Sequence, residues 1–122
     1  MKKVVAFGIF DTVEPNHVHH LKEAKEYGDH LTVIIIPDKI LKEQKIKFNN
    51  KEKFRLKEVK ELNIADKVMV GHSQVQYKII ADEKPNIVAI GHYQKFVVND
   101  LITQLDENVQ IVRTSPFIPY HL

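Results

Sequence analysis

The chain has 122 residues, of which 43% are hydrophobic and 28% charged, with a net charge of +2. That length suits one domain with one core, and that composition is ordinary for a soluble globular protein. The charge is too small to argue for nucleic acid or a membrane surface as partner. The lack of cysteine excludes disulfides and thiolate metal sites. The longest apolar run, Leu31 to Pro37, is far too short to span a bilayer. Met1-Lys2-Lys3 leads into an apolar stretch that stops at Asp11 without a cleavage pattern, so the reading is a cytoplasmic protein.

Residues 3–9 are predicted as a strand buried on both faces, because Val4-Val5-Ala6-Phe7 is continuous rather than alternating. Asn16 is a candidate helix N-cap; Val18, Leu21 and Ala24 then recur on one face, and Gly28 stops the helix. Leu31 to Ile36, largely β-branched and closed by Pro37, reads as a second buried strand. A short helix is predicted over 38–43, then a loop with Asn49-Asn50 as a turn. Lys51 to Leu62 reads as a helix with Leu56, Val59 and Leu62 inward, and the lysines between Lys39 and Lys60 read mostly as a solvated face. Lys67 to Val70 is a short strand ended by Gly71. Gln74 to Asp82 is a helix with Val75, Ile79 and Ile80 inward. Pro85 precedes a fourth strand, Ile87 to Ile90, ended by Gly91. A helix over Phe96–Leu105, a strand over Val109–Val112 and an extended tail from Ser115 to Leu122 complete the pass. Strands alternating with helices predict a single α/β domain over 1–122, its sheet parallel, its helices on both faces and its crossovers right-handed.

One stretch stands apart. Gly8-Ile9-Phe10-Asp11-Thr12-Val13-Glu14-Pro15-Asn16-His17 joins the first strand to the first helix. A buried strand that ends in a glycine turn and opens a helix is an anion site, because the helix start has unpaired N–H groups and a positive dipole end. Gly8 lets backbone approach a ligand. His17 falls in the first helical turn, within reach of that ligand. Glu14 brings a carboxylate to the same place, which repels phosphate unless a cation or a charged His17 stands between them. His19 and His20 follow, but the run has no recognisable metal-ligand spacing and only His17 and His20 are i,i+3 neighbours. No metal site is assigned, and His19 and His20 read as surface histidines.

The same stretch resembles the signature of the cytidylyltransferase-like nucleotidyltransferases. Their pattern runs Gly-x-Phe-Asp, two or three residues, His-x-Gly-His, then a helix ending near Gly-Asp. Gly8, Phe10, Asp11, His17, Gly28 and Asp29 fit; Glu14 stands for the first motif histidine and Asn16 for the motif glycine. Ile9 stands where many relatives carry a hydroxyl. The likeness covers nearly the whole chain. It implies a Rossmann-like domain with a five-stranded parallel sheet of order 3-2-1-4-5 and a ligand at the carboxyl ends of the first and fourth strands. It implies transfer of CMP or AMP from CTP or ATP to a phosphomonoester, release of pyrophosphate, Mg2+ accompanying the nucleotide, and a homodimer.

By the resemblance, His17 stabilises the α-phosphoryl charge. Lys45 and Lys47 match a Lys-x-Lys pair that reaches the phosphates, and Arg55 matches the arginine that opens the next helix. Lys47 and Glu14 therefore join His17 as catalytic candidates. Gly91-His92-Tyr93-Gln94-Lys95-Phe96 resembles the family's Gly-Tyr-Asp-Gln-Lys-Phe turn. Gly8, Ile9, Phe10, Asn16, Gly91, His92 and Gln94 are then expected around the nucleotide, with Lys45, Arg55 and Arg113. Arg113-Thr114 begins like the family's Arg-Thr-x-Gly-Ile-Ser-Thr-Ser but continues as Ser115-Pro116-Phe117. Glu14, Asn16 and that divergent end leave a different class open: a relative that binds a nucleotide or a partner on the same scaffold without the chemistry.

Overall fold

The apolar run Val4 to Phe7 forms the middle of the molecule. A computed structural model describes residues 1–71, 76–92, 94 and 105–118. The central strand β1 (Lys3–Gly8) pairs with β2 (His30–Ile35), and β2 with the edge strand β3 (Lys67–Val70). On its other side β1 pairs with β4 (Ile87–Ile90), and β4 with the edge strand β5 (Gln110–Arg113). Every pairing is parallel and the order is β3-β2-β1-β4-β5, as the resemblance implied.

Alternate side chains of a strand point to opposite faces, so a strand covered on both faces has to be apolar throughout. Val4 and Ala6 pack on one face with Leu31 and Val33, under Leu21 and Ala24 of α1 (Pro15–Glu26) and Val59 of α3 (Glu52–Glu61). Val5 and Phe7 pack on the other with Ile34, Val88 and Ile90, under Ile79 and Ile80 of α4 (Gln76–Asp82). A short α2 (Asp38–Glu43) sets Ile40 and Leu41 against Ile36, just beyond the end of β2. Among the described residues no helix is long and apolar enough to cross a membrane.

Two local readings change. The N-cap of α1 is Glu14, in extended conformation, rather than Asn16. Pro15 takes the first helical position, where its missing N–H costs nothing and its fixed φ suits the helix, so α1 begins earlier than the Asn16 cap required. Gly28 does not end the helix in a left-handed turn, for no glycine has a positive φ. It is needed for close approach: a Cβ there would stand 2.6 Å from the Lys2 carbonyl oxygen and 2.8 Å from Val4 Cγ2. The predicted helix over Phe96–Leu105 lies almost wholly outside the described residues, as does the start of the helix predicted from Gln74.

Candidate functional site

β1 and β4 end side by side, and their chains then leave in different directions. A cavity of about 420 Å³ opens at these carboxyl ends. The β1–α1 turn lines it with Gly8, Ile9, Phe10, Glu14, Asn16 and His17; the β4 side adds Gly91, His92 and Gln94; Lys47 reaches in from the loop after α2. Ten sequence candidates thus come together. Lys45, Arg55 and Arg113 are not on the wall.

The turn into α1 is tight. Phe10 has φ of 52°, a left-handed conformation that a bulky side chain rarely adopts and that costs of order 1–2 kcal/mol. Its ring is buried and meets the His17 ring edge-on, 5.5 Å between centroids. The Phe10 ring also explains Gly8, where a Cβ would lie 2.9 Å from Phe10 Cε2. The space the missing side chain leaves is filled by Phe10.

His17 is fixed at both its backbone and its ring. Its N–H donates to the Glu14 carbonyl at 2.9 Å, and the Glu14 N–H donates to His17 Nδ1 at 2.9 Å. That second bond needs a lone pair on Nδ1, so the neutral ring carries its proton on Nε2. Burial pulls the ring below the usual histidine range, against the Glu14 charge and the Thr12 carbonyl, which pull it upward. At neutral pH the cavity therefore meets a neutral imidazole.

Several motif residues hold backbone. Asp11 accepts the N–H groups of Asn49 and Asn50, each at 2.8 Å. Arg55 is fully buried. It donates to the carbonyls of Asn50, Ile9 and Ile36 at 2.8–2.9 Å and to Asp38 Oδ1 at 2.6 Å. Arg55 thus ties the ends of β1 and β2 to α2 and the loop that carries Lys47. The expected contact to a nucleotide is displaced by these bonds, because the carbonyls left over where two strands end need a buried donor. Lys45 is exposed, in a left-handed turn. Gln94 bridges the strands that part: its side chain accepts the Gly91 N–H at 2.7 Å and donates to the Phe7 carbonyl at 2.9 Å. Arg113 Nη1 gathers the carbonyls of Gly91, His92 and Gln94 within 3.1 Å. It shapes the wall from behind.

Seven residues of the wall were not among the sequence candidates for the site: Phe7, Asp11, Thr12, His20, Thr114, Ser115 and Phe117. His20 is only 8% exposed, not a surface histidine. His17, His20, Leu21 and Ala24 fall at i, i+3, i+4 and i+7, the stripe that faces a core, and that spacing was the available signal. His20 Nδ1 stands 2.8 Å from Thr114 Oγ1. Burial, with the His17 ring beside it, pushes His20 down to about 4, against the Glu23 charge. Ser115 is tied to α1 by Glu23, which accepts its N–H at 2.9 Å and its hydroxyl. Burial works to raise the Glu23 carboxyl, but the Ser115 bonds and the neighbouring His19 and His20 hold it below its ordinary value. Among the described residues no group of three acids and histidines could hold a metal ion.

Comparison with known proteins agrees with this geometry. The sequence model of the cytidylyltransferase-like family matches residues 5–121. The chain is 36% identical to the FAD synthase of Thermoplasma acidophilum over 121 residues, spanning 96% of this chain and 84% of that protein. It is 35% identical to the FAD synthase of Thermococcus sibiricus over 123 residues, spanning 97% of this chain and 80% of that one. A crystal structure described as the lipopolysaccharide core biosynthesis protein from Thermoplasma volcanium superposes with a TM-score of 0.88 at 32% identity, covering 97% of this chain and 99% of its own.

Proposed function

The chain belongs to the cytidylyltransferase-like family, and on that footing we propose that it transfers AMP from ATP to a phosphomonoester, FMN being the acceptor to test first, and acts as a cytoplasmic homodimer. An acceptor phosphate oxygen attacks the α-phosphorus, the bond from that phosphorus to the bridging oxygen breaks, and pyrophosphate leaves. The FAD synthase relatives support ATP and FMN. The observation that carries the reading is His17: a neutral imidazole with its proton on Nε2, at the start of a helix, on a cavity at the carboxyl ends of β1 and β4.

In this reading Nε2–H of His17 donates to an α-phosphoryl oxygen as charge gathers there, at the positive end of the α1 dipole. Lys47 clamps the outer phosphates. Phe7, Phe10 and Phe117 give the cavity flat apolar surface for a ring. Gln94 and Arg113 keep the far wall in shape through the backbone bonds described above. Mg2+ travels with the nucleotide and neutralises phosphate charge. Both Asp11 oxygens hold backbone N–H groups, so Glu14 is the wall carboxylate that would hold such an ion.

Glu14 also favours a second reading, a binding relative without the chemistry, since a carboxylate on the wall opposes phosphate by about 1 kcal/mol or more. The deciding assay is Mg2+-dependent pyrophosphate release from ATP and from CTP with FMN and other phosphomonoesters, on wild type and Glu14→His. Release by wild type supports the enzyme. Release only after Glu14→His supports a site silenced at one position. Silence from both, with ATP still bound, supports the binding relative. Sedimentation equilibrium checks the dimer, and a pure monomer at high concentration rejects it.

A further inference from the structure

Two side-chain nitrogens of the described residues are buried without a partner, His20 Nε2 and His30 Nδ1. Of the two residues only His20 lines the cavity. Native proteins seldom leave such an atom unpaired unless something else completes it. The transfer proposed above makes no use of His20. We infer that His20 is a second phosphate-binding imidazole, whose Nε2–H donates to an oxygen of a polyphosphate chain that His17 also holds. The inference rests on the reading of the cavity as a nucleotide site and names the part of the nucleotide that His20 meets.

The position of the proton follows from Thr114. Its hydroxyl lies 2.8 Å from His20 Nδ1 and 3.4 Å from the Ile90 carbonyl oxygen. The longer distance is outside the ordinary range for a hydroxyl donor. The hydroxyl therefore donates to Nδ1, and the neutral ring keeps its proton on Nε2. His17 is built in the same way, with the Glu14 N–H in place of the hydroxyl. Both rings thus have Nδ1 occupied from behind, and His20 Nε2–H has no protein acceptor among the described residues.

The two rings stand on successive turns of one helix face, about 4.5 Å apart along the axis. A single phosphate meets one of them; a chain of phosphoryl groups is long enough to meet both. Glu14, at the same helix end, is an acceptor and supplies no such donor. Burial keeps His20 neutral, so it offers a directed donor without adding charge to the wall. Its Nε2 is buried without a protein partner on a residue that lines the cavity, so the inferred contact requires the ring to turn toward the ligand.

The test is calorimetric titration of the full chain at neutral pH with ATP, with inorganic tripolyphosphate and with adenosine, on wild type, His20→Phe and His20→Gln. The expected result is about tenfold weaker ATP and tripolyphosphate for His20→Phe, the size of one hydrogen bond to a charged group. Adenosine is unaffected, and His20→Gln, which keeps an N–H, recovers most of the loss. Nitrogen NMR of wild type, which needs no variant, shows His20 protonated on Nε2 and that nitrogen shifting on addition of tripolyphosphate. Equal tripolyphosphate affinity in wild type and His20→Phe overturns the inference. So does equal loss in both variants, a lone pair on Nε2, an Nε2 that tripolyphosphate does not move, or a wild type that binds no tripolyphosphate. Tripolyphosphate held through His20 without pyrophosphate release from either triphosphate keeps this inference and defeats the transfer reading. Transfer unaffected by His20→Phe does the reverse.

Discussion

The start of α1 and the segment from Lys45 to Arg55 face each other across the β1 turn, and they use polar residues in opposite ways. At α1, backbone holds side chains: the Glu14 N–H grips His17, and the ring is left for the cavity. In the segment after α2, backbone and side chain are already paired: Arg55 is consumed by carbonyls, the Asn49 and Asn50 N–H groups by Asp11 of the β1 turn, and Lys47 alone of the candidate cations reaches the wall. Charge near a cavity is therefore a poor guide to what meets a ligand. What decides is whether the nearby backbone is already paired.

The sharpest way to break this contrast is Arg55→Met. It leaves three carbonyls and Asp38 without their donor, and the expected loss is about 3–5 kcal/mol in urea unfolding. A loss under 1 kcal/mol would mean that Arg55 is not the tie described. His17→Ala should do the opposite: a fall of ~10²–10³ in the rate of pyrophosphate release, with stability changed by less than about 1 kcal/mol. If it unfolds the protein instead, the α1 side is scaffold too.

A third prediction concerns acid. His20 has its proton affinity lowered from 6.5 to about 4 by folding. The unfolded chain binds that proton first, so the stability it confers is complete above pH ~6.5 and is lost as pH falls toward ~4, for a total of about 3 kcal/mol. Denaturant midpoints measured across that window should fall steeply in wild type and much less in His20→Phe. Smaller still is Lys47→Ala, expected to raise KM for ATP by about 1 kcal/mol, roughly fivefold, with the difference fading in high salt. Lys45→Ala, two residues away but off the wall, should leave KM unchanged. Equal effects from the two lysines would show that the field of the segment matters rather than the reach of one side chain.

The fold was legible because burial on both faces leaves a continuous apolar run, as in Val4 to Phe7 and Leu31 to Ile36, and such runs need no partner to be recognised. The His17 turn was legible because strand, glycine and helix start are adjacent in sequence. Arg55 was not. The resemblance pointed it at the nucleotide, while its burial under carbonyls depends on where the ends of β1 and β2 meet, which is a property of topology. Gly8 was read as room for a ligand, while the Phe10 ring that needs the room adopts a φ that no sequence rule assigns to phenylalanine. His20 was half legible: the helical stripe carried it, and the presence of two neighbouring histidines drew attention to metal spacing instead.

The placing of β1 also sets the order in which the molecule can be made. Lys2 is tied to Asp29, 27 residues on, whereas Lys3 is tied to Asn86, 83 residues on. During synthesis β1 can find β2 early, but its other edge stays open until Ile87 to Ile90 have emerged. Pairings over such distances slow folding, and an unpaired apolar edge invites aggregation while it waits. The cavity exists only once β4 has docked against β1. A ligand therefore cannot guide the early steps of assembly; it can only hold the finished molecule closed.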